Sequence, residues 1–150
     1  MKHIVVTAAI LLNDGEILCM QRNQSNYPYV SYKYEFPGGK VEPGESLESG
    51  LMRELQEEMD ISVNIKVDDF FMTVEHQYPD FFITMHSFLI HADSRIFTRK
   101  EHVNHVWLLK KDLLTLDWAP ADVPIVHKLM CDPDNGCFRT MGCVETTCGA

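Results

Sequence analysis

Glu54, Glu57 and Glu58 stand at i, i+3 and i+4 in the stretch FPGGKVEPGESLESGLMRELQEEMDI, residues 36–61, so a helix through them turns three carboxylates to one side. Leu47, Leu51, Leu55 and Met59 recur every four residues and give the same helix an apolar stripe for a core. At about 100° per residue, Glu58 projects beside that stripe. Part of the acidic cluster therefore approaches the buried side, where carboxylates repel each other and resist ionisation unless a cation neutralises them. Oxygen ligands at this density suit hard Mg²⁺. Gly38-Gly39 ahead of the helix permits close backbone approach, so a carbonyl there can join the ligand set. Taken alone, a glutamate-rich helix usually has a solvated acidic face, here with Arg53 pairing to Glu57 at i+4.

The elements around this helix follow from pattern and punctuation. Ser46 precedes it as an N-cap and Glu48 lies in its first turn. Asn13-Asp14-Gly15 marks a tight turn between apolar runs, which predicts a hairpin of strands 4–12 and 16–21. Further strands are expected over 63–73, 81–91 and 103–109, and helices over 47–59 and 123–130. That order predicts an α/β or α+β sandwich, a mixed sheet flanked by helices. Asp122, before Val123-Pro124, reads as the N-cap of the second helix.

The 150 residues and 45% hydrophobic content suit one domain, and a formal net charge of -9 sets the surface against nucleic acid and anionic membranes. An anionic substrate therefore requires a cation. The opening MKHIVVTAAILL resembles the start of a secretion signal, but the turn at 13–15 makes it a hairpin strand. No run reaches membrane-spanning length, so a cytoplasmic protein with reduced cysteines is expected. Cys19 falls in an apolar run and reads as core. Cys131, Cys137, Cys143 and Cys148 lack the close pairing of a zinc site. The expected division is a domain over 1–130 and a loosely packed tail over 131–150.

Gly39, Glu45, Arg53, Glu54, Leu55, Glu57, Glu58 and Ile61 resemble the Nudix box, G-x5-E-x7-R-E-U-x-E-E-x-G-U, in register. At residue frequencies of about 6%, six fixed positions agree by chance in roughly one start in ten million. Asp60 replaces the family's glycine. The segments YEFPGGKVEPGE, QYPDFFITMHSF, KEH and LDWAPADVPIV further resemble the MutT and CTP pyrophosphohydrolase branch, over residues 4–130. Phe81 departs from the arginine that branch often carries.

The resemblance implies a Nudix α/β/α sandwich, dependence on Mg²⁺ with Mn²⁺ as a substitute, and hydrolysis of a nucleoside triphosphate to monophosphate and pyrophosphate. It implies a small nucleotide as partner and no nucleic acid polymer. It places the metal on Glu54, Glu57, Glu58, Glu101 and a Gly39 carbonyl, with Arg53 orienting the glutamates and Glu45 bracing the loop. Glu54 or Glu101 serves as base, and Glu101 owes its role to standing 21 residues before Asp122. Arg22, Phe36, Lys40 and Asp122 are the implied substrate contacts. An ionised Asp122 accepts hydrogen bonds and so favours the amino group of cytosine, which points to CTP, dCTP or 5-methyl-dCTP. A donor at that position favours 8-oxo-dGTP instead. A nucleoside-diphosphate sugar or dinucleotide hydrolase and a non-catalytic binding module are the other readings.

Overall fold

Strand β1 (Lys2–Asn13) turns through Asp14 and Gly15, at φ 52° and 80°, into β2 (Glu16–Gln21). Two consecutive left-handed residues match the right-handed twist of a two-residue hairpin, and the pairing Asn13↔Glu16 closes it. The chain then forms β3 (Tyr34–Glu35), β4 (Gly38–Lys40), helix α1 (Leu47–Met59), β5 (Phe70–Gln77), β6 (Phe81–His91), β7 (Asn104–Leu109) and helix α2 (Val123–Met130). This computed structural model describes residues 1–131. The expectations for residues 132–150, Cys137, Cys143 and Cys148 among them, lie outside the described residues, whereas Cys131, expected in the loose tail, is buried.

The sheet runs β3-β2-β1-β6-β5, with β4 paired to β1 and β7 to β2. β1 and β6 are parallel from Lys2↔Phe81 to Leu12↔His91, whereas the other named strand pairs are antiparallel. One edge of β1 is shared, Val6–Ala8 pairing with β4 and Leu12–Asn13 with β2. This split brings the Gly38-Gly39 backbone into the sheet beside the site. A Cβ at Gly38 would collide with the Thr7 carbonyl, so only glycine lets the strands meet there.

Alternation along β1 and β2 feeds two cores. Ala8, Ile10, Ile17 and Cys19 face α2, with Ile125, Val126, Leu129 and Trp118. Ala9, Leu11, Leu18 and Met20 face α1, with Leu51, Leu55 and Met59. Both faces of the sheet are covered, and the expected sandwich results. The Ser46 side chain accepts from Ser49 N at 3.0 Å while Ser49 Oγ accepts from Ser46 N at 3.1 Å, which fixes the start of α1. The helix ends at Asp60 in the left-handed region, φ 57°. No helix among the described residues is long and apolar enough to cross a membrane.

The strand expected over 63–73 lies further along. Ile65 and the partly buried Val63 anchor the first part against the α1 core, and residues 67–69 form a 3-10 turn closed by Asp69, whose carboxylate accepts from Lys66 N at 2.9 Å. The strand begins at Phe70, carries an irregularity before Met72, and owes its register to pairing with β6. Its polar end, Thr73-Val74-Glu75-His76-Gln77, has little apolar signal of its own. β3 and β4 are too short to show alternation, and Val103 lies outside β7.

Candidate active site

Arg53 organises the exposed face of α1. Its Nε and Nη2 donate to Glu45 Oε2 and Oε1 at 2.6 and 3.0 Å, Nη1 donates to Glu54 at 3.2 Å and Glu57 at 3.1 Å, and Nη2 also reaches the Lys40 carbonyl at 3.1 Å. One guanidinium thus joins the helix to the loop before it. The bidentate contact holds the Glu45 carboxyl below the usual range. The Glu54 carboxyl packs against Gly39, where any Cβ would overlap it. Burial raises the Glu54 pKa, and the Arg53 contacts oppose that rise.

Glu58 projects away from Arg53, towards the loop between β6 and β7. Its carboxyl lies within hydrogen-bond reach of Glu101, and that contact, burial and the Coulomb repulsion of Glu101 and Glu54 push its pKa up to about 7. Glu58 and Glu101 border a polar cleft of about 280 Å³ with Arg22, Glu35, Gly38 and His102. Of the expected ligands, Glu54 is therefore beside Gly39 and Glu58 beside Glu101, while Glu57 is half exposed and turned to Arg53. Among the described residues no three acidic, histidine or cysteine groups converge at chelating distance. The donors are all carboxylate or carbonyl oxygens, and Glu58 and Glu101 face each other within hydrogen-bond reach; such a donor set fits a hard divalent ion.

A second cavity, of about 390 Å³, adjoins this cleft. Arg22, Glu35 and Gly38 border both spaces, and Gly39 and Lys40 line the larger one. Its walls include Ile4, Val6, Phe36, Phe81, Met85 and Asp122. Tyr27 packs on Phe81 with centroids 5.4 Å apart, and Tyr29 stacks on Tyr78 at 5.0 Å, so the loop after β2 is held to the β5–β6 turn by aromatic contacts. Arg22 Nη1 donates to Glu35 Oε1 at 3.1 Å, whereas its buried Nε has no hydrogen-bond partner among the described residues. His102 Nε2 lies 2.8 Å from Glu35 Oε2.

Asp122 closes the far end. Only 4% exposed, it accepts a hydrogen bond from Phe36 N at Oδ2, 3.1 Å away. Burial, and then repulsion from Glu35, raise its pKa well above the carboxylate range, against the lowering effect of the Phe36 N–H. Two expectations are corrected. The Asp122 side chain makes no capping bond, because residues 120–122 already form a 3-10 turn that runs into α2. Nor is the ionised acceptor favoured, since a desolvated carboxyl prefers its neutral form.

The family model of the NUDIX domain matches residues 1–129. The chain belongs to the Nudix family. It is 35% identical over 131 residues to the CTP pyrophosphohydrolase of Escherichia coli (strain K12), covering 87% of this chain and 93% of that one. To the 8-oxo-dGTP diphosphatase of the same organism it is 31% identical over 129 residues, covering 86% and 98%. The crystal structure of a MutT protein from Methanosarcina mazei Go1 superposes with a TM-score of 0.75 at 25% identity, covering 89% and 96%. This chain is thus a Nudix hydrolase acting on a nucleotide phosphoanhydride, and enzymes of this family generally use divalent metal ions.

Within the Nudix box, Glu45, Arg53, Glu54 and Glu57 come together through the guanidinium, and Glu58 meets Glu101 across the cleft. Arg22, Phe36, Lys40 and Asp122 all line the larger cavity. Glu35 and His102 were not singled out, although both stand in the quoted segments YEFPGG and KEH. The signal for them was adjacency: Glu35 precedes Phe36 and His102 follows Glu101, each beside a residue already assigned to the site.

Proposed function

We propose that this Nudix hydrolase cleaves nucleoside triphosphates to the monophosphate and pyrophosphate with Mg²⁺, Mn²⁺ being a substitute, and that cytosine nucleotides are its first substrates. The observation that carries this reading is the adjacency of the two cavities: Arg22, Glu35 and Gly38 border both the Glu58–Glu101 cleft and the Asp122 chamber. A triphosphate laid across that border has its base at Asp122 and its phosphates at the acidic end.

Glu54, Glu57, Glu58, Glu101 and the Gly39 carbonyl would hold the metal. When bound, a divalent ion screens the triphosphate and lowers the pKa of its water. Arg53 keeps the glutamates of α1 oriented, and Glu45 fixes Arg53 to the preceding loop. Glu54 is engaged by Arg53 and packed on Gly39, which makes Glu101 the freer proton acceptor. Lys40 and Arg22 meet the phosphates, Arg22 through the exposed part of its side chain. Phe36 walls the base site while its N–H orients Asp122.

The neutral Asp122 carboxyl, held at Oδ2, presents a donor to the base. N3 of cytosine accepts it, and so does O6 of an oxidised guanine. This favours 8-oxo-dGTP as the second reading. The identity to the CTP pyrophosphohydrolase supports cytosine as the first. The test is a panel of CTP, dCTP, 5-methyl-dCTP, 8-oxo-dGTP and a nucleoside-diphosphate sugar with Mg²⁺, monophosphate and pyrophosphate being quantified separately. Highest kcat/KM on a cytosine triphosphate with pyrophosphate release is expected. A maximum on 8-oxo-dGTP establishes the second reading, and turnover of the sugar nucleotide alone, or none at all, overturns both.

A further inference from the structure

The loop between β6 and β7 delivers Glu101 to the site, and its packing against the core is confined to its first half, at Ala92 and Phe97. Behind it lies a cavity of about 250 Å³, lined by Met59, Ile61, Ala92, Ile96, Phe97 and Trp107, and the Ile96 side chain points outward at 86% exposure. Arg95 fastens the loop's start to Asn13 O at 2.8 Å and Glu16 at 2.8 Å. Phe97 and Arg99 both meet His105 on β7. Between these points and Glu101, polar ties reach the end of α1: Thr98 N donates to Met59 O at 3.0 Å, and Lys100 Nζ donates to Glu57 O at 2.9 Å and to Asp60 Oδ1 at 3.0 Å.

Lys100 thus satisfies a carbonyl at the C-terminus of α1, where a cation also meets the negative end of the helix dipole. Asp60 occupies the left-handed position after that helix and supplies the lysine's second partner. The residues flanking Glu101 are pinned to different elements, Lys100 to α1 and His102 to Glu35 on β3. The span from one pin to the other is too short for Glu101 to drift while both hold.

We propose that Lys100 is a positioning residue, which with Asp60 clamps the Glu101 loop to the end of α1 and so sets the approach of Glu101 to Glu58. The clamp ties the two halves of the site at the point where this chain departs from the Nudix box. It rests on the reading of Glu101 as a working member of that site.

The experiment compares Lys100→Met, Lys100→Arg and Asp60→Gly, and combines Lys100→Met with Glu101→Gln, all in the full chain with Mg²⁺ and CTP. Lys100→Met is expected to lower kcat roughly tenfold, since small misplacement of a reacting group is costly, with KM little changed. Lys100→Arg restores most of the rate. Asp60→Gly gives a smaller loss of kcat with little change in stability at neutral pH, so activity falls without the fold weakening. In the Glu101→Gln background, Lys100→Met lowers kcat no further, as required of a residue acting through Glu101. Calorimetric titration with Mg²⁺ alone, without nucleotide, gives weaker binding for Lys100→Met than for the unaltered chain. Should Lys100→Met fail to fold, Asp60→Gly decides. Unchanged kcat and Mg²⁺ affinity, or equal losses in both backgrounds, overturn the clamp alone. An inert Glu101→Gln overturns the assignment of Glu101 and the clamp with it.

Discussion

The two ends of the cleft solve the problem of a buried carboxyl differently. On α1, Arg53 sits among Glu45, Glu54 and Glu57 and balances their charge directly, and only Glu58, turned away, is left with its charge opposed by Glu101. At the other end Asp122 has no contacting cation, and one backbone N–H from Phe36 holds it in place. In the first arrangement Arg53 opposes the rise that burial imposes on Glu54, and Glu58, without that contact, is pushed up by Glu101. In the second, burial drives the carboxyl towards neutrality, where it becomes a donor. Charge compensation, more than the residue type, decides what each carboxyl can do.

Breaking the acidic end gives the largest effect. Glu58→Gln should lower kcat at least about a hundredfold with the fold intact, because the side-chain volume stays and one oxygen ligand is lost. The sign of the stability change is opposite. A carboxyl whose folded pKa is raised destabilises the folded protein as it ionises, so the metal-free protein should lose stability as pH rises from the ordinary carboxylate range through about 7. Glu58→Gln should flatten that slope, and added Mg²⁺ should flatten it in the unaltered chain. Thermal melts at several pH values, with and without Mg²⁺, read both. Near-normal turnover in the variant would sink the assignment of Glu58 to the metal.

The apolar end sharpens the comparison through two substitutions. Asp122→Ala leaves the buried Phe36 N–H unpaired and should cost about 1–3 kcal/mol. Asp122→Asn keeps an acceptor for Phe36 and places an amide donor where the neutral carboxyl had its own, so base preference should shift little. A raised folded pKa again contributes stability that is lost as pH rises, so the stability of Asp122→Asn relative to the unaltered chain should increase with pH. Denaturant titrations across pH and kcat/KM on the nucleotide panel check these outcomes. A large swing in preference from cytosine to 8-oxo-dGTP would mean that the carboxyl works ionised.

This contrast also explains what could be read in advance. The box on α1 was legible because helical geometry alone brings Glu54, Glu57, Glu58 and Arg53 to one face, and Ser46 caps the helix locally. The hairpin at Asp14-Gly15 was legible for the same reason. Asp122 stands at the N-cap position of α2 as its place before Val123-Pro124 predicts, but its side chain turns to Phe36, far away in sequence, and its protonation depends on desolvation by the fold. The shift of β5 has a similar origin, since β6 supplies the register that Thr73–Gln77 do not encode by themselves. The role of Glu35, bridging Arg22 and His102, exists only after β2, β3 and the Glu101 loop have assembled.

Asp60 should show the smallest change in stability, because it combines both kinds of effect. Its left-handed backbone, φ 57°, favours glycine, and relief of that strain by Asp60→Gly is expected to stabilise by about 0.5–1 kcal/mol. The side chain opposes this, since Lys100 and the Thr98 contact hold the Asp60 carboxyl below its usual range. The Lys100–Asp60 pair is half exposed, so solvent screens it and its contribution to stability is small. The two contributions nearly cancel, so chemical denaturation at neutral pH should place Asp60→Gly within about 0.5 kcal/mol of the unaltered chain. Acid reveals them separately. A depressed folded pKa gives stability that is present above the unfolded value and lost as pH falls through the folded one. The ion pair therefore fades at low pH while the backbone strain remains, and Asp60→Gly should become the more stable protein there. A variant less stable than the unaltered chain at every pH would show that the lysine contact outweighs the strain of the left-handed turn.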